Sequence, residues 1–114
     1  MFSFQTTEVF KKAKQFHLGC KKLCPAGSDE KYVTDQLSRA SYSIPLNIAE
    51  GSAKFSKPDR RNYFTTARGS LFECIAILEI MHAEGKLPAT TYMELTSLGE
   101  ELSKMLYTMV KNLQ

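Results

Sequence analysis

Three side chains near the start of the chain have the types and spacing of metal ligands. His17, Cys20 and Cys24 lie at positions i, i+3 and i+7, so on a helix they would share one face and offer a nitrogen and two sulfurs to zinc. Structural zinc normally takes its ligands from two segments, and no second cluster is evident in the sequence. Cys20 also continues an apolar helical stripe. We therefore interpret these residues as structural, and predict no metal and no other cofactor.

A second pattern is the spacing of Glu79 and His82, which matches the Glu-x-x-His pairs of di-iron bundles. A di-iron site needs a second such pair and two further inward-facing glutamates, whereas this chain carries one copy. The sequence also contains no nucleophile elbow, Walker loop or HExxH motif. We predict that the protein is not an enzyme and that it works by binding.

Positive charge forms two clusters along the chain. The first is on the first helix: Lys11, Lys12, Lys14, Lys21 and Lys22. The second surrounds the connection between the second and third helices and includes an aromatic ring: Lys54, Phe55, Lys57, Arg60 and Arg61. Cations beside aromatic rings can hold phosphates and stack on unpaired bases, which makes RNA or DNA binding the alternative function. A net charge of +3 is low for a dedicated nucleic-acid binder, and helix lysines are usually a solvated face.

Four segments with helical periodicity must position these side chains. They are predicted at about residues 7–24, 29–51, 57–85 and 88–112, and no strand pattern appears. Thr6 or Thr7 is the predicted N-cap of the first helix, Ser28 of the second and Ser56 of the third. We expect Gly51 to end the second helix in the left-handed conformation, and Pro45 to bend that helix without dividing it.

Each predicted helix carries an apolar stripe that can enter one core. On the second helix the stripe spans about 80° of the helical wheel, and its members are Val33, Leu37, Ala40, Ile44 and Ile48. A chain of 114 residues, 43% of them apolar, suffices for one domain. Because short connections favour antiparallel neighbours, the predicted fold is all-α, an up-down-up-down four-helix bundle over residues 1–114.

The stretch from Arg39 to Ser70 resembles the core signature of the bacterial 23S rRNA intervening-sequence proteins. The matching residues are Arg39-Ala40-Ser41, Ser43-Ile44, Asn47-Ile48-Ala49-Glu50-Gly51, Ser56, Asp59, Phe64, Ala67, Gly69-Ser70 and Glu73. The resemblance implies an antiparallel bundle that assembles into a homo-oligomer, in relatives a barrel-like pentamer, and a family without a settled biochemical role. The chain is also distantly similar to the accessory proteins of diversity-generating retroelements, a branch of basic pentamers that engage nucleic acid. Its modest net charge departs from that branch.

Polar side chains border the core stripe of the second helix. We define the polar seam by these residues and by their expected partners on the third helix: Arg39, Ser43, Asn47, Glu50, Arg68 and Glu73. Because partly buried polar groups need partners, we interpret the seam as a hydrogen-bonded network between helices or subunits. Arg68 and Glu73 are the expected partners of Arg39 and Glu50. A contact line for a ligand or nucleic acid is the alternative.

A second apolar stripe on the third helix predicts self-association. It consists of Phe72, Ala76 and Ile80, preceded by Gly69, and faces away from the core stripe. A monomer would leave it in water unless the N-terminal Phe2 and Phe4 shield it. Residues 1–68 carry twelve Lys/Arg and six Asp/Glu, a balance of +6, and residues 69–114 carry three and six, a balance of −3. This asymmetry favours head-to-tail contacts between copies, so the predicted partner is the protein itself.

Two features indicate the compartment. The first residues lack the basic and then apolar regions of a secretory signal, and three cysteines without framework spacing agree with a reducing environment. The apolar run from Leu71 to Met81 contains two glutamates and is shorter than the roughly 20 residues that span a bilayer. We therefore predict a cytoplasmic protein that does not bind membranes.

Overall fold

The computed structural model describes residues 1–23 and 31–114. A short 3₁₀ helix, Ser3–Thr6, precedes four α-helices, which are α1 Glu8–Lys21, α2 Lys31–Ala53, α3 Lys57–Ala83 and α4 Ala89–Lys111. No strand occurs in these two ranges, so the predicted all-α class with four helices is confirmed. None of the helices in the described part of the chain is long and apolar enough to cross a membrane.

The described helix starts follow the capping residues expected from the sequence. The Thr7 hydroxyl accepts a hydrogen bond from the Phe10 amide at 3.3 Å, and the Ser56 hydroxyl accepts one from the Asp59 amide at 3.2 Å. These bonds satisfy amides that have no partner within the first turn of a helix. The predicted cap of α2, Ser28, lies in residues 24–30, outside the described residues.

The helix ends depart from the predicted bounds by a few residues. The first helix ends at Lys21 rather than near residue 24, and α3 ends at Ala83, two residues before Gly85. Gly85 has a left-handed φ of 73°, which a glycine adopts without a steric penalty. Pro45 is buried within α2, which continues through it as one helix, as predicted.

The prediction that Gly51 ends α2 is wrong. Gly51 is a buried residue inside the helix, which continues to Ala53, and Gly51 has no left-handed φ. Its lack of a side chain serves packing. A Cβ atom at this position would lie 2.6 Å from Cε1 of Phe64 and 2.9 Å from Cβ of Tyr63. Glycine therefore permits α2 and α3 to approach each other closely at this point.

Contacts between the helices define the bundle. Each helix packs against the next one in the chain, and α1 packs against α4. Between α2 and α3, Ser43 contacts Ser70, whereas the later Gly51 lies against the earlier Phe64. In the other neighbouring pairs, too, residues early in one helix contact residues late in the other, as antiparallel helices do. The molecule measures 43 × 23 × 22 Å.

One stripe from each helix forms the core, as the periodicity predicts. The largest fully buried apolar side chains are Phe16, Phe64, Leu37, Ile44, Ile48, Leu71, Leu78, Leu102 and Leu106. Cys20 and Cys74 are buried among them. Burial, and then the nearby carboxylate of Glu73, raises the pKa of the Cys74 thiol to about 12. The thiol therefore stays protonated at neutral pH and packs as a small apolar group.

Candidate interaction surfaces

The residues predicted to form an oligomer interface lie together on the surface. We call Gly69, Phe72, Ala76 and Ile80 the α3 outer face. The side chains of Phe72 and Ile80 are 53% and 59% exposed, and Gly69 and Ala76 are exposed as well. A Cβ atom at Gly69 would meet no heavy atom within 4 Å. The chain thus presents an apolar strip with an open position at one end.

The N-terminal residues do not shield the α3 outer face, so that alternative is wrong. The 3₁₀ helix packs against α1 and α2. The rings of Phe4 and Phe10 meet edge to face with their centroids 4.9 Å apart, and Phe2 stacks on Phe4 at 6.2 Å. These contacts hold both N-terminal rings at the α1 side of the bundle. Phe72 and Ile80 are left accessible to a partner.

Arg68 lies beside the α3 outer face, at its border with α4. Its guanidinium carbon lies 4.6 Å from the centroid of the Phe72 ring and 5.6 Å from that of Tyr107. A guanidinium at these distances is attracted by the negative face of each ring. Its Nε is buried and has no hydrogen-bond acceptor among the described residues. The part of the chain that the structure describes therefore leaves this donor without an acceptor.

Two grooves flank the side chain of Phe72 between α3 and α4. The first has a volume of about 370 Å³ and is lined by Thr65, Arg68, Gly69, Phe72, Tyr107 and Val110. The second, of about 490 Å³, has Ile75, Thr96 and Gly99 among its lining residues. Phe72 therefore projects between two grooves, and the side chains of another helix can pack into these grooves.

The polar seam is hydrogen-bonded at its centre. The hydroxyl oxygens of Ser43 and Ser70 are 3.0 Å apart, joining α2 to α3. The Asn47 side-chain amide donates to the carbonyl and the hydroxyl of Ser43, at 2.8 and 2.9 Å. The link between the helices thus runs through Ser70, which is not among the predicted members of the polar seam.

The two ends of the polar seam differ from the prediction. Within the described part of the chain, no ion pair joins Arg39 or Glu50 to Arg68 or Glu73. Residues two apart on a helix project about 200° apart, so Arg68 points toward α4 when Ser70 points toward α2. The rings of Phe72 and Tyr107 therefore contact Arg68 in place of a seam carboxylate. Arg39, Glu50 and Glu73 are exposed.

Arg39 and Glu50 flank two apolar side chains that the sequence analysis missed. Tyr42 and Leu46 are 52% and 48% exposed on the outer side of α2. We call Arg39, Tyr42, Leu46 and Glu50 the α2 ridge. Their spacing of i, i+3, i+7 and i+11 puts them on one helix face, and this spacing was the available signal. The ridge borders a shallow groove of about 440 Å³ that also includes Ser38, Ser43 and Asn47.

The basic cluster at the α2–α3 connection surrounds a fully exposed aromatic ring. Phe55 has a relative exposure of 103%. Lys54 Nζ lies 5.2 Å from the centroid of the Tyr63 ring, and Lys57 is exposed at the start of α3. The guanidinium carbon of Arg60 lies 5.8 Å from the centroid of the Phe64 ring. These cations and Phe55 form an accessible surface at one end of the bundle.

Arg61 makes a hydrogen bond within the fold. Its Nη1 donates a 2.6 Å hydrogen bond to the carbonyl of Leu113, in a partly buried position. This bond holds the C-terminal residues against the start of α3. Arg61 is therefore engaged in the fold, and its contact with nucleic acid stays a prediction, as it does for Lys54, Phe55, Lys57 and Arg60.

The first basic cluster is partly neutralised within the bundle. Lys12 Nζ lies 2.7 Å from Oε2 of Glu101 on α4, and this bond lowers the pKa of the Glu101 carboxyl. Lys11 pairs with Glu8 at 3.8 Å. Exposed pairs of this kind contribute little to stability, because solvent screens the two charges. Their consequence is a less positive surface on α1 than the lysine count implies.

The histidines contact neighbouring helices. His17 Nδ1 lies 2.8 Å from the Ser41 hydroxyl, and burial, followed by the charge of Lys21, lowers the pKa of His17. His82 stacks on Tyr92, with centroids 4.4 Å apart. The candidate ligand Cys24 lies outside the described residues. Among residues 1–23 and 31–114, no three His, Cys, Asp or Glu side chains are grouped to hold a metal ion.

Comparison with known proteins adds a family and a fold. The model of the 23S rRNA-intervening sequence protein family matches residues 5–108. The chain is also similar to the crystal structure of a protein with unknown function from the S23 ribosomal protein family of Bacteroides thetaiotaomicron VPI-5482. The TM-score is 0.84 and the identity 23%, over 90% of this chain and 98% of that one. At this identity the likeness shows the fold alone. No protein of curated function matches the sequence.

Proposed function

We propose a function from the premise that this chain belongs to the 23S rRNA-intervening sequence protein family. The protein acts as a homo-oligomeric helical scaffold or adaptor in the cytoplasm, by binding and without catalysis. The observation that supports this most is the α3 outer face, where Phe72 and Ile80 are more than half exposed beside an open glycine. A contiguous exposed apolar patch on a small domain usually marks an interface.

Two features favour another copy of the chain as the partner. The basic balance of residues 1–68 and the acidic balance of residues 69–114 attract each other between copies. Because Phe72 and Ile80 are only 53% and 59% exposed in the single chain, their burial against a second copy stabilises the assembly by about 1 kcal/mol for each side chain. Five copies is the number we propose, because the family resemblance implies a pentamer.

Replacement of Phe72 and Ile80 together by glutamate is expected to yield a folded monomer. Two carboxylates in the apolar contact would be desolvated without partners, which disfavours association. Light scattering should give the 12.9 kDa of one chain, and circular dichroism should show native helix content. The matched control is Leu18→Glu with Phe55→Glu, two exposed apolar residues elsewhere that receive the same added charge. A folded double variant that keeps the native mass would refute this interface.

Nucleic-acid binding is the second candidate function, and Phe55 is the observation that favours it. A fully exposed ring between Lys54 and Lys57, near Arg60, offers a stacking surface among cations. With about three phosphate contacts, the affinity for single-stranded RNA should fall roughly 20-fold between 50 and 200 mM salt.

The triple variant Phe55→Ala, Lys57→Ala and Arg60→Ala should bind single-stranded RNA more weakly and with a smaller salt dependence. Filter binding at low and moderate salt measures both quantities. Lys104→Ala with Lys111→Ala on α4 is the control, because it also removes positive charge and leaves the α2–α3 connection intact. Equal RNA affinity of the triple variant and the native protein would exclude this surface as the binding site.

A further inference from the structure

We infer that the α3 outer face of one copy receives the α2 ridge of a second copy, with the two helices antiparallel. The inference rests on the proposed self-association. It identifies the surface of the second copy that contacts the α3 outer face. Both surfaces carry large apolar side chains about half exposed, Tyr42 and Leu46 on one and Phe72 and Ile80 on the other. The chain therefore has two different apolar strips, and each can cover the other.

Charge determines the orientation of the two helices. Arg39 and Glu50 are eleven residues apart on α2, and Arg68 and Glu79 are eleven residues apart on α3. Each pair therefore spans about 16.5 Å along its helix. On both helices the positive residue comes first. An antiparallel arrangement pairs Arg39 with Glu79 and Glu50 with Arg68, whereas a parallel one would pair like charges.

The same alignment brings side chains of complementary size together. With Arg39 opposite Glu79, Tyr42 falls opposite Ala76 and Leu46 opposite Phe72. A tyrosine over an alanine lets the helices approach, and the grooves on both sides of Phe72 offer space for Leu46. Gly69 faces the partner at a position where a Cβ would meet nothing in its own chain.

Arg68 supplies the positive charge at one end of this docking. Its buried Nε has no acceptor among the described residues of its own chain. The antiparallel alignment places the carboxylate of Glu50 from the second copy at Arg68. Nε itself is covered by the chain's own atoms, so the carboxylate would pair with the charge of the half-buried guanidinium and would not accept a hydrogen bond from Nε.

The two surfaces are different, so the contact is head-to-tail. Each copy uses its α2 ridge toward one neighbour and its α3 outer face toward the other. Such contacts form a closed ring when the rotation between copies closes. A contact of one α3 outer face with another α3 outer face would instead stop at a dimer.

Mixing two variants tests the head-to-tail contact. Phe72→Glu with Ile80→Glu removes the α3 outer face, and Tyr42→Glu with Leu46→Glu removes the α2 ridge. Each variant alone should be a folded monomer. In an equimolar mixture, the intact ridge of the first meets the intact face of the second, and sedimentation at high protein concentration should show a heterodimer of twice 12.9 kDa. A mixture that stays monomeric would overturn the inference.

A charge exchange provides a second, milder test. Arg39→Glu places two carboxylates opposite each other and should reduce the assembled fraction at least tenfold at low salt, while Arg39→Glu with Glu79→Arg should restore it. Failure to restore assembly would contradict the antiparallel alignment.

If the α3 variant is monomeric but the Tyr42/Leu46 variant keeps the native mass, self-association stands and the α2 ridge is excluded. If the α3 variant keeps an oligomeric native mass, the α3 outer face is not an interface and the inference fails, whereas a monomeric native protein would refute the proposed function itself.

Discussion

Replacement of Gly51 by valine is expected to lower the free energy of unfolding by about 3 kcal/mol, the upper part of the range for overpacking a core. A single Cβ would already lie 2.6 Å from the Phe64 ring and 2.9 Å from Cβ of Tyr63. Neither neighbour is the far end of a flexible side chain, and Phe64 itself is buried. The valine can fit only if α2 and α3 separate, which weakens the largest contact between helices in the bundle.

Gly69→Val is the matched control, because it makes the same change within a helix. No heavy atom lies within 4 Å of a Cβ at position 69, so we expect a change of no more than about 0.5 kcal/mol. Both substitutions should be made in the Phe72→Glu/Ile80→Glu background, so that loss of subunit contacts does not enter the measurement. Urea denaturation followed by circular dichroism gives both values. Equal stability of the two variants would contradict the close packing at Gly51.

Local sequence signals predicted most of the fold. The helix starts at Thr7 and Ser56 depend on a side chain and an amide three residues later, so capping residues identify them. The prediction that Gly51 ends α2 was wrong because the sequence does not distinguish a glycine that ends a helix from one that permits close packing. The choice depends on Phe64, which is distant in sequence and reaches Gly51 only in the folded bundle.

The surfaces were predictable only in part. The α3 outer face follows from helical periodicity, because its residues fall on the side away from the core stripe. The surroundings of Arg68 do not follow from periodicity, because they depend on how α3 is rotated against α4. This rotation places Tyr107 beside Arg68. The bond from Arg61 to the Leu113 carbonyl joins residues 52 positions apart, and its acceptor is a backbone group that carries no sequence signature.

The α2 ridge shows a further limit of pattern analysis. Tyr42 and Leu46 have regular helical spacing. They were missed because the apolar stripe with Leu37, Ile44 and Ile48 already accounted for the packing of this helix against the core. A helix with one apolar stripe and two additional apolar residues on its outer side is still a typical surface helix. The exposure of Tyr42 and Leu46 in the folded bundle distinguishes the α2 ridge from the core.

The solution mass of the unmodified protein tests self-association most directly. Each copy would bury the α3 outer face, and a ring gives every copy two contacts, so the assembly should persist at micromolar concentration. Light scattering across a hundredfold concentration range should give a constant mass of five times 12.9 kDa. A mass of 12.9 kDa throughout that range would mean that the α3 outer face stays in water and that the protein does not function as a homo-oligomer.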